Sequence, residues 1–147
     1  PGQNHQVGTN SVMILPARGI QNAAAWATNT LYAQGDVVAH GGMFFWCQTA
    51  SGGTNTVLDA PAYEDDGRSA DGTNTWQFIP SGPRAVAVIV NDGTNVIYST
   101  IRPAAALNSG VRLNASGGVW NIQPEILQGS FYAICGSAAN SVTTVDQ

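Results

Sequence analysis

Acid–base chemistry in this chain would depend on very few side chains, since the sequence contains only two histidines. Asp36 and His40 are four positions apart in a strand-like stretch, which places both side chains on one face of that strand. A Ser-His-Asp or Cys-His site needs a histidine that a partner holds in position, and this pair could supply one. The other histidine, His5, lies in a polar, turn-rich stretch, and no further catalytic constellation is present. We therefore favour a structural role for His40 and expect no enzymatic activity.

Acidic residues are concentrated in a glycine-rich loop that contains Glu64-Asp65-Asp66, with Asp59 and Asp71 nearby. A glycosidase holds two carboxyl groups about 5–10 Å apart in a rigid cleft, with one pKa raised by burial. Adjacent acids on such a loop meet neither condition, so a solvated loop is the favoured interpretation. The alternative is a divalent-cation site with Asp65, Asp66 and Asp71 as oxygen ligands, irregular in geometry or shared with a neighbouring chain.

The cysteines and histidines are isolated from one another, which makes zinc binding less favoured still. Cys47 and Cys135 each lie inside an apolar strand pattern, so buried thiols are favoured over a disulfide, although the sequence leaves both states open. Neither a metal nor a cofactor is predicted.

Charge is sparse along the whole chain. Only 10% of the 147 residues are charged, against about 25% in an average domain, and the net charge is −4. Nucleic-acid binding relies on clusters of basic side chains, and this chain has only five dispersed arginines, so no nucleic-acid partner is expected. The longest apolar run, residues 85–90, is far shorter than the roughly 20 residues of a membrane span, so no membrane partner is expected.

Residues 1–22 are predicted to form an N-terminal arm, because the first residues are polar and turn-rich. The arm contains one apolar patch, Val12-Met13-Ile14-Leu15. Such a patch needs an apolar partner. Two possibilities stay open: it packs on its own chain as a first strand, or it contacts a neighbouring subunit.

Residues 23–82 are predicted to form a compact β-domain. Strand-like runs at 35–39 and 43–49 flank Gly41-Gly42, which indicates a tight hairpin. The stretch 50–74, rich in Gly, Thr, Asn and Asp, is unusually long for a passive connection.

Residues 83–147 are predicted to form a second β-domain, either a sandwich or a barrel. The run 84–90 is a buried-strand candidate, residues 91–95 form a turn, and 96–101 is the return strand. Sustained helical periodicity is absent from the sequence, so the predicted fold class is all-β. Further short strands are predicted at 111–113, 119–122, 130–135 and 141–145.

An aromatic pattern in the second segment carries a family resemblance. The pattern is, in order, Ala25-Trp26, Tyr32-x-x-Gly35-Asp36-x-Val38, a glycine turn, Phe45 on an aromatic strand and a distant Trp76. It resembles the small chitin-binding carbohydrate modules of families 5 and 12. The resemblance implies a carbohydrate-module-like β-domain whose core is built by Trp26, Tyr32, Gly35, Asp36, Phe45 and Trp76.

The sugar-binding face of that family is altered in this chain. Chitin-binding members place two adjacent aromatic residues just beyond the strand aromatic, and the matching positions here are Thr49 and Ala50. The remaining carbohydrate-binding candidates are Trp46, on the opposite strand face from Phe45, and Tyr63 in the long loop. For Trp46, packing at an interface or over the loop is favoured over a ligand platform.

The third segment is similar, more loosely, to a small β-domain found near the C-termini of tailed-phage structural proteins. The similarity lies in the strand order and in four short stretches: Gly110-Val111-Arg112-Leu113, Gly117-Gly118, Gly129-Ser130-Phe131-Tyr132-Ala133-Ile134 and Thr143-Thr144-Val145.

These resemblances, with the arm and the weakly charged chain, predict a non-enzymatic virion protein of a tailed bacteriophage: a capsid decoration protein or a short head fibre. It would bind the major capsid protein on the head surface, with Val12, Met13, Ile14 and Leu15 as candidate contacts. It would also associate with itself, as a trimer by analogy with decoration proteins at local threefold positions. The alternative is a secreted or fibre-borne protein that binds chitin-like polysaccharides or host glycans.

Overall fold

The computed structural model describes residues 2–18, 22–50, 68–71 and 74–147, and within these residues the fold is all-β. The chain divides into two compact units. We call Pro1–Arg18 with Gly82–Gln147 the sandwich unit, and Gly19–Ser81 the central unit. The described strands are β1 (Gly2–Val7), β2 (Val12–Leu15), β3 (Ala24–Ala25), β4 (Val37–His40), β5 (Met43–Thr49), β6 (Arg68–Asp71), β7 (Asn74–Ile79), β8 (Ala87–Asn91), β9 (Ile97–Ile101), β10 (Val111–Leu113), β11 (Gly118–Asn121), β12 (Phe131–Cys135) and β13 (Asn140–Asp146).

Two four-stranded antiparallel sheets pack face to face in the sandwich unit. One has the strand order β1-β13-β8-β11 and the other β10-β9-β12-β2, and a 3-10 turn at Pro124–Ile126 precedes β12. Successive side chains point to opposite faces of a strand, so Ile89 is buried between the sheets while its neighbours Val88 and Val90 face outward. Inward side chains of both sheets form one core, which includes Val7, Ile14, Ile89, Ile97, Leu113, Phe131, Ala133 and Val142. Of the two predicted architectures, this unit is a sandwich.

The prediction that residues 96–101 return beside the preceding strand is wrong. Strand β8 pairs with β13 and β11, whereas β9 pairs with β10 and β12 in the opposite sheet. The intervening turn crosses between the sheets and is held by the buried Asn91 amide, which donates to the carbonyl oxygens of Asn95 at 2.8 Å and Leu113 at 3.0 Å. Turn residues mark a change of direction, but they do not reveal which strand will be the partner.

The predicted N-terminal arm is also corrected by the structure, because residues 2–18 belong to the sandwich unit. Strand β1 pairs along its length with β13, and β2 pairs with β12. Strand β1 is polar because it is a sheet edge, yet its inward residues His5 and Val7 are buried. His5 Nε2 lies 2.9 Å from the Thr144 hydroxyl oxygen. Pairing with a strand at the far end of the chain leaves no local sequence signal.

A five-stranded sheet with the order β3-β4-β5-β7-β6 forms the central unit. The hairpin predicted around Gly41-Gly42 is confirmed: β4 and β5 pair from Val37↔Trp46 to His40↔Met43. Both glycines have positive φ, 59° and 79°, as a two-residue hairpin turn of this hand requires.

Candidate functional site

Asp36 and His40 are engaged separately in the central unit. The Asp36 carboxylate accepts a hydrogen bond from the Ala33 amide at 2.7 Å, and its backbone carbonyl accepts one from Cys47 at 2.7 Å. The His40 ring instead packs edge-to-face against Trp26, with ring centroids 5.9 Å apart. Asp36 thus stabilises the turn that leads into β4, and neither contact orients His40 for proton transfer.

The aromatic residues of the chitin-module pattern converge on one core. Tyr32, Phe45 and Trp76 are buried in a single cluster, and Trp26 packs against it. The rings of Tyr32 and Trp76 meet edge-to-face at 4.9 Å, a favoured aromatic geometry. The Tyr32 hydroxyl donates to the Ala27 carbonyl at 3.2 Å and accepts from the Ala27 amide at 2.8 Å. The Gly35 amide, at φ 92°, donates to the Cys47 carbonyl at 2.8 Å.

Of the two predicted carbohydrate platforms, Trp46 is closed to solvent. It lies on the sheet face opposite Phe45, as the alternation predicts, but only 1% of its surface is exposed. A stacking platform must present its ring face to the ligand, so Trp46 does not serve as one in this structure. Tyr63 lies outside the described residues.

Four residues of the predicted acidic loop also lie outside the described part of the chain: Asp59, Glu64, Asp65 and Asp66. Asp71 ends strand β6, where it pairs with Asn74. Within the described residues, no group of three or more His, Cys, Asp and Glu side chains is placed to hold a metal ion.

The candidate subunit contact at residues 12–15 lies inside the sandwich unit. Met13, Ile14 and Leu15 are buried, and Val12 packs against the sandwich core. The sequence left two possibilities open, and in the structure this stretch packs on its own chain as an early strand. These side chains are not available as a contact surface in the folded protein.

A buried arginine that the sequence analysis did not single out organises one end of the sandwich. Arg84 is 2% exposed, and its Nε donates to the Asp146 carboxylate at 2.7 Å. Its Nη atoms donate to the carbonyls of Leu127 at 2.7 Å and Pro16 at 2.6 Å. Arg18 forms a second ion pair with Asp146 at 2.7 Å. We call Arg18, Arg84 and Asp146 the arginine clasp. Its role is structural, since all three nitrogens of the Arg84 guanidinium donate to oxygens of the protein itself.

The outer face of the sheet β1-β13-β8-β11 carries five valines, which we call the valine face: Val86, Val88, Val90, Val119 and Val145. Strand register places Val119 beside Val90 and Val145 beside Val88. Val86 extends the row through backbone hydrogen bonds to Gln147 at 2.8 and 3.0 Å. Val119 is 51% exposed and Val86 is 45% exposed.

The other outward strand positions of this face are uncharged, and the exposed Asp92, which accepts a hydrogen bond from the Thr143 hydroxyl, places one carboxylate at its edge. Register places Asn4 beside Thr143 and Gln6 beside Ser141, and Asn121 is the remaining outward side chain of β11. The valine face is therefore an apolar patch bordered by neutral polar groups and, beside Thr143, by the carboxylate of Asp92. The sequence predicted a buried strand at 84–90 because both faces of that strand are apolar, and periodicity then cannot show which face stays outside.

Comparisons of this chain with protein-family models, curated proteins and solved structures give no match. The described residues include no helix that is both long and apolar enough to span a membrane.

Proposed function

We propose that this protein is a non-enzymatic structural component of a tailed-phage virion, a decoration protein that binds the major capsid protein on the head surface and associates with copies of itself. The observation that carries the proposal is the valine face, which supports a role in assembly. The phage assignment depends on the loose resemblance, described in the sequence analysis, of four short stretches between residues 110 and 145 to a small domain of phage structural proteins.

Two exposed valines and three partly exposed ones on one face favour a partner surface, because covering apolar area contributes about 25 cal/mol per Å². The occupant that fits best is a second copy of the chain. A surface that meets its own copy must avoid a concentration of charge of one sign. The outward strand positions of this sheet are uncharged, and the Asp92 carboxylate at its edge is bonded to the Thr143 hydroxyl. On a capsid, such contacts would stabilise the assembled shell by mass action.

The geometry of the association can be measured. A valine face that meets its own copy across a twofold axis gives an even number of subunits. The trimer expected from local threefold positions requires this face to pack on a different surface of the neighbouring subunit. Light scattering after size-exclusion chromatography gives the mass that separates the two arrangements.

Substitution of Val119 by Asp tests the valine face directly. Because this side chain is half exposed, Val119→Asp should leave the circular dichroism spectrum unchanged while lowering the measured mass to that of one chain. Leu31→Asp is the matched control, since Leu31 is 61% exposed in the central unit and should tolerate the charge without a change in mass.

Co-sedimentation with expanded tailed-phage capsids that lack their decoration protein tests the second half of the proposal. The wild-type chain and Leu31→Asp should sediment with the capsids, and Val119→Asp should do so more weakly. A wild-type chain that stays monomeric at micromolar concentration and also fails to sediment with capsids would overturn the proposed function.

A further inference from the structure

A groove of about 300 Å³ opens at one end of the sandwich unit, away from the positions that the sequence marked for carbohydrate. Three connections form its walls: the turn before β9, the loop between β9 and β10, and the turn after β12. Its volume lies at the lower end of the range for small-molecule sites, about 300–1,000 Å³. The lining residues are Asn95, Val96, Tyr98, Leu107, Asn108, Gly136 and Ser137.

The lining has the chemistry of a site for a neutral, hydroxyl-rich ligand. All seven residues are uncharged, so the groove has no ionised group for a phosphate or an ammonium. Asn95, Asn108 and Ser137 offer amide and hydroxyl groups that both donate and accept hydrogen bonds. The Tyr98 ring and Leu107, which is 47% exposed, add an apolar surface. A sugar ring needs this combination, because it presents C–H groups on its faces and hydroxyls around its edge.

The polar groups of the groove are held in place before any ligand binds. The Tyr98 hydroxyl donates to Asn108 Oδ1 at 2.8 Å. This bond orients the Asn108 amide nitrogen away from the Tyr98 hydroxyl. Asn108 also adopts φ 60°, a left-handed conformation that asparagine tolerates better than most residues other than glycine.

The walls formed by the turns before β9 and after β12 are fixed by buried side chains that lie beneath them. The backbone amide of Asn95 donates to Asn140 Oδ1 at 3.0 Å, and its carbonyl accepts from the Asn91 amide at 2.8 Å. The backbone amide of Ser137 donates to Cys135 Sγ at 3.5 Å. Ordered walls reduce the entropy that ligand binding must overcome, so even a small groove can be selective.

A second groove in the same unit does not share this chemistry. It has a volume of about 410 Å³ and includes Arg102 and Glu125 but no aromatic ring. One cation and one anion without a stacking surface do not select a ligand class. The neutral groove beside Tyr98 is the stronger site.

We propose that the groove around Tyr98 binds one unit of a neutral saccharide, with the ring stacked on Tyr98 and Leu107 and its hydroxyls bonded to Asn95, Asn108 and Ser137. This site is separate from the valine face and from Trp46, and it goes beyond the structural role proposed above. Binding of an exposed glycan on a host or a particle surface would give the protein a recognition function as well as a structural one.

The test measures retention on an immobilised panel of neutral oligosaccharides built from glucose, galactose, mannose and N-acetylglucosamine. Sialylated oligosaccharides are immobilised beside them for comparison. The wild-type chain should be retained by at least one neutral member. Tyr98→Ala should weaken that retention about tenfold, the equivalent of roughly 1.4 kcal/mol. Tyr98→Phe keeps the ring but loses the hydroxyl, so it should weaken binding less, about threefold.

Asn108→Gly is the cleanest variant, because it removes the amide while glycine accepts the positive φ without strain. It should reduce retention without loss of fold, even if Tyr98→Ala fails to fold. Leu31→Asp is the matched control, because Leu31 is exposed in the central unit and belongs to neither the groove nor the valine face, so this variant should bind the glycan as the wild-type chain does. The proposal is overturned by no retention on any neutral member, by retention of sialylated members alone, or by retention that Asn108→Gly and Tyr98→Phe leave unchanged.

Discussion

Arg84 and Asp146 form a largely buried bidentate ion pair, with Nε to Oδ1 at 2.7 Å and Nη2 to Oδ2 at 3.2 Å. Arg84 lies two residues after Gly82, where the chain returns to the sandwich unit, and Asp146 ends the last strand. The pair therefore joins the start of the second sandwich segment to its end. Gln128 reinforces the same point, since its side chain exchanges two hydrogen bonds of 2.7 Å with the Arg84 backbone.

Asp146→Asn should destabilise the sandwich unit strongly. The substitution leaves the buried Arg84 guanidinium without its counter-charge and also removes the ion pair to Arg18. Breaking a buried pair in this way costs about 3–5 kcal/mol. Guanidinium denaturation followed by circular dichroism measures the loss.

Asp92→Asn is the matched control for that substitution. Asp92 is exposed and accepts a hydrogen bond from the Thr143 hydroxyl, so the loss of its charge should cost less than about 1 kcal/mol. An Asp146→Asn variant as stable as Asp92→Asn would show that the arginine clasp contributes nothing to stability.

Gly93→Ala should disrupt the buried asparagine pair that lies under the turn between β8 and β9. A methyl group at Gly93 would overlap the Asn140 amide, whose Nδ2 donates to Asn91 Oδ1 at 2.8 Å. Overpacking at such a site costs about 1–3 kcal/mol, which a thermal melt detects. Gly8→Ala is the control, because the nearest atom to its added carbon is 4.0 Å away, and its melting temperature should not change.

Local features of the fold were predictable from the sequence, and long-range ones were not. The Gly41-Gly42 hairpin follows from two adjacent positions that both need positive φ. Strands β10 to β13 follow from short apolar runs between turns. The pairing of β1 with β13 joins Gly2 to Val145, and nothing near either residue indicates it.

The candidate sites differ in how far the sequence could predict them. The aromatic core around Tyr32 and Trp76 was expected only because the order of its residues resembles a family pattern, since Trp76 is distant from Tyr32 in the sequence. The arginine clasp could not be predicted, since Arg84 looks like any isolated arginine until Asp146 and the carbonyl of Pro16 are brought to it. The groove beside Tyr98 needs three separate connections, and only the folded chain places them together.

Trp46→Ala should affect stability rather than glycan binding. Trp46 is fully buried in the central unit, and truncation of a buried tryptophan costs about 3–5 kcal/mol. Near-ultraviolet circular dichroism on heating should show a lower melting temperature, while glycan retention by the Tyr98 groove stays at the wild-type level below that temperature. Loss of retention with an unchanged melting temperature would instead mark Trp46 as a ligand contact.

The two cysteines should report on the two units independently. Cys47 and Cys135 are free thiols buried in separate cores. A buried thiol reacts with a disulfide reagent only when its surroundings open, so labelling of the native chain should be slow at both positions and complete after denaturation. Mass spectrometry of peptides separates the two rates.

Asp146→Asn should accelerate labelling of Cys135 alone, and Trp46→Ala should accelerate labelling of Cys47 alone, because each substitution weakens only the unit that contains it. Equal acceleration of both cysteines by either substitution would mean that the sandwich and central units open together.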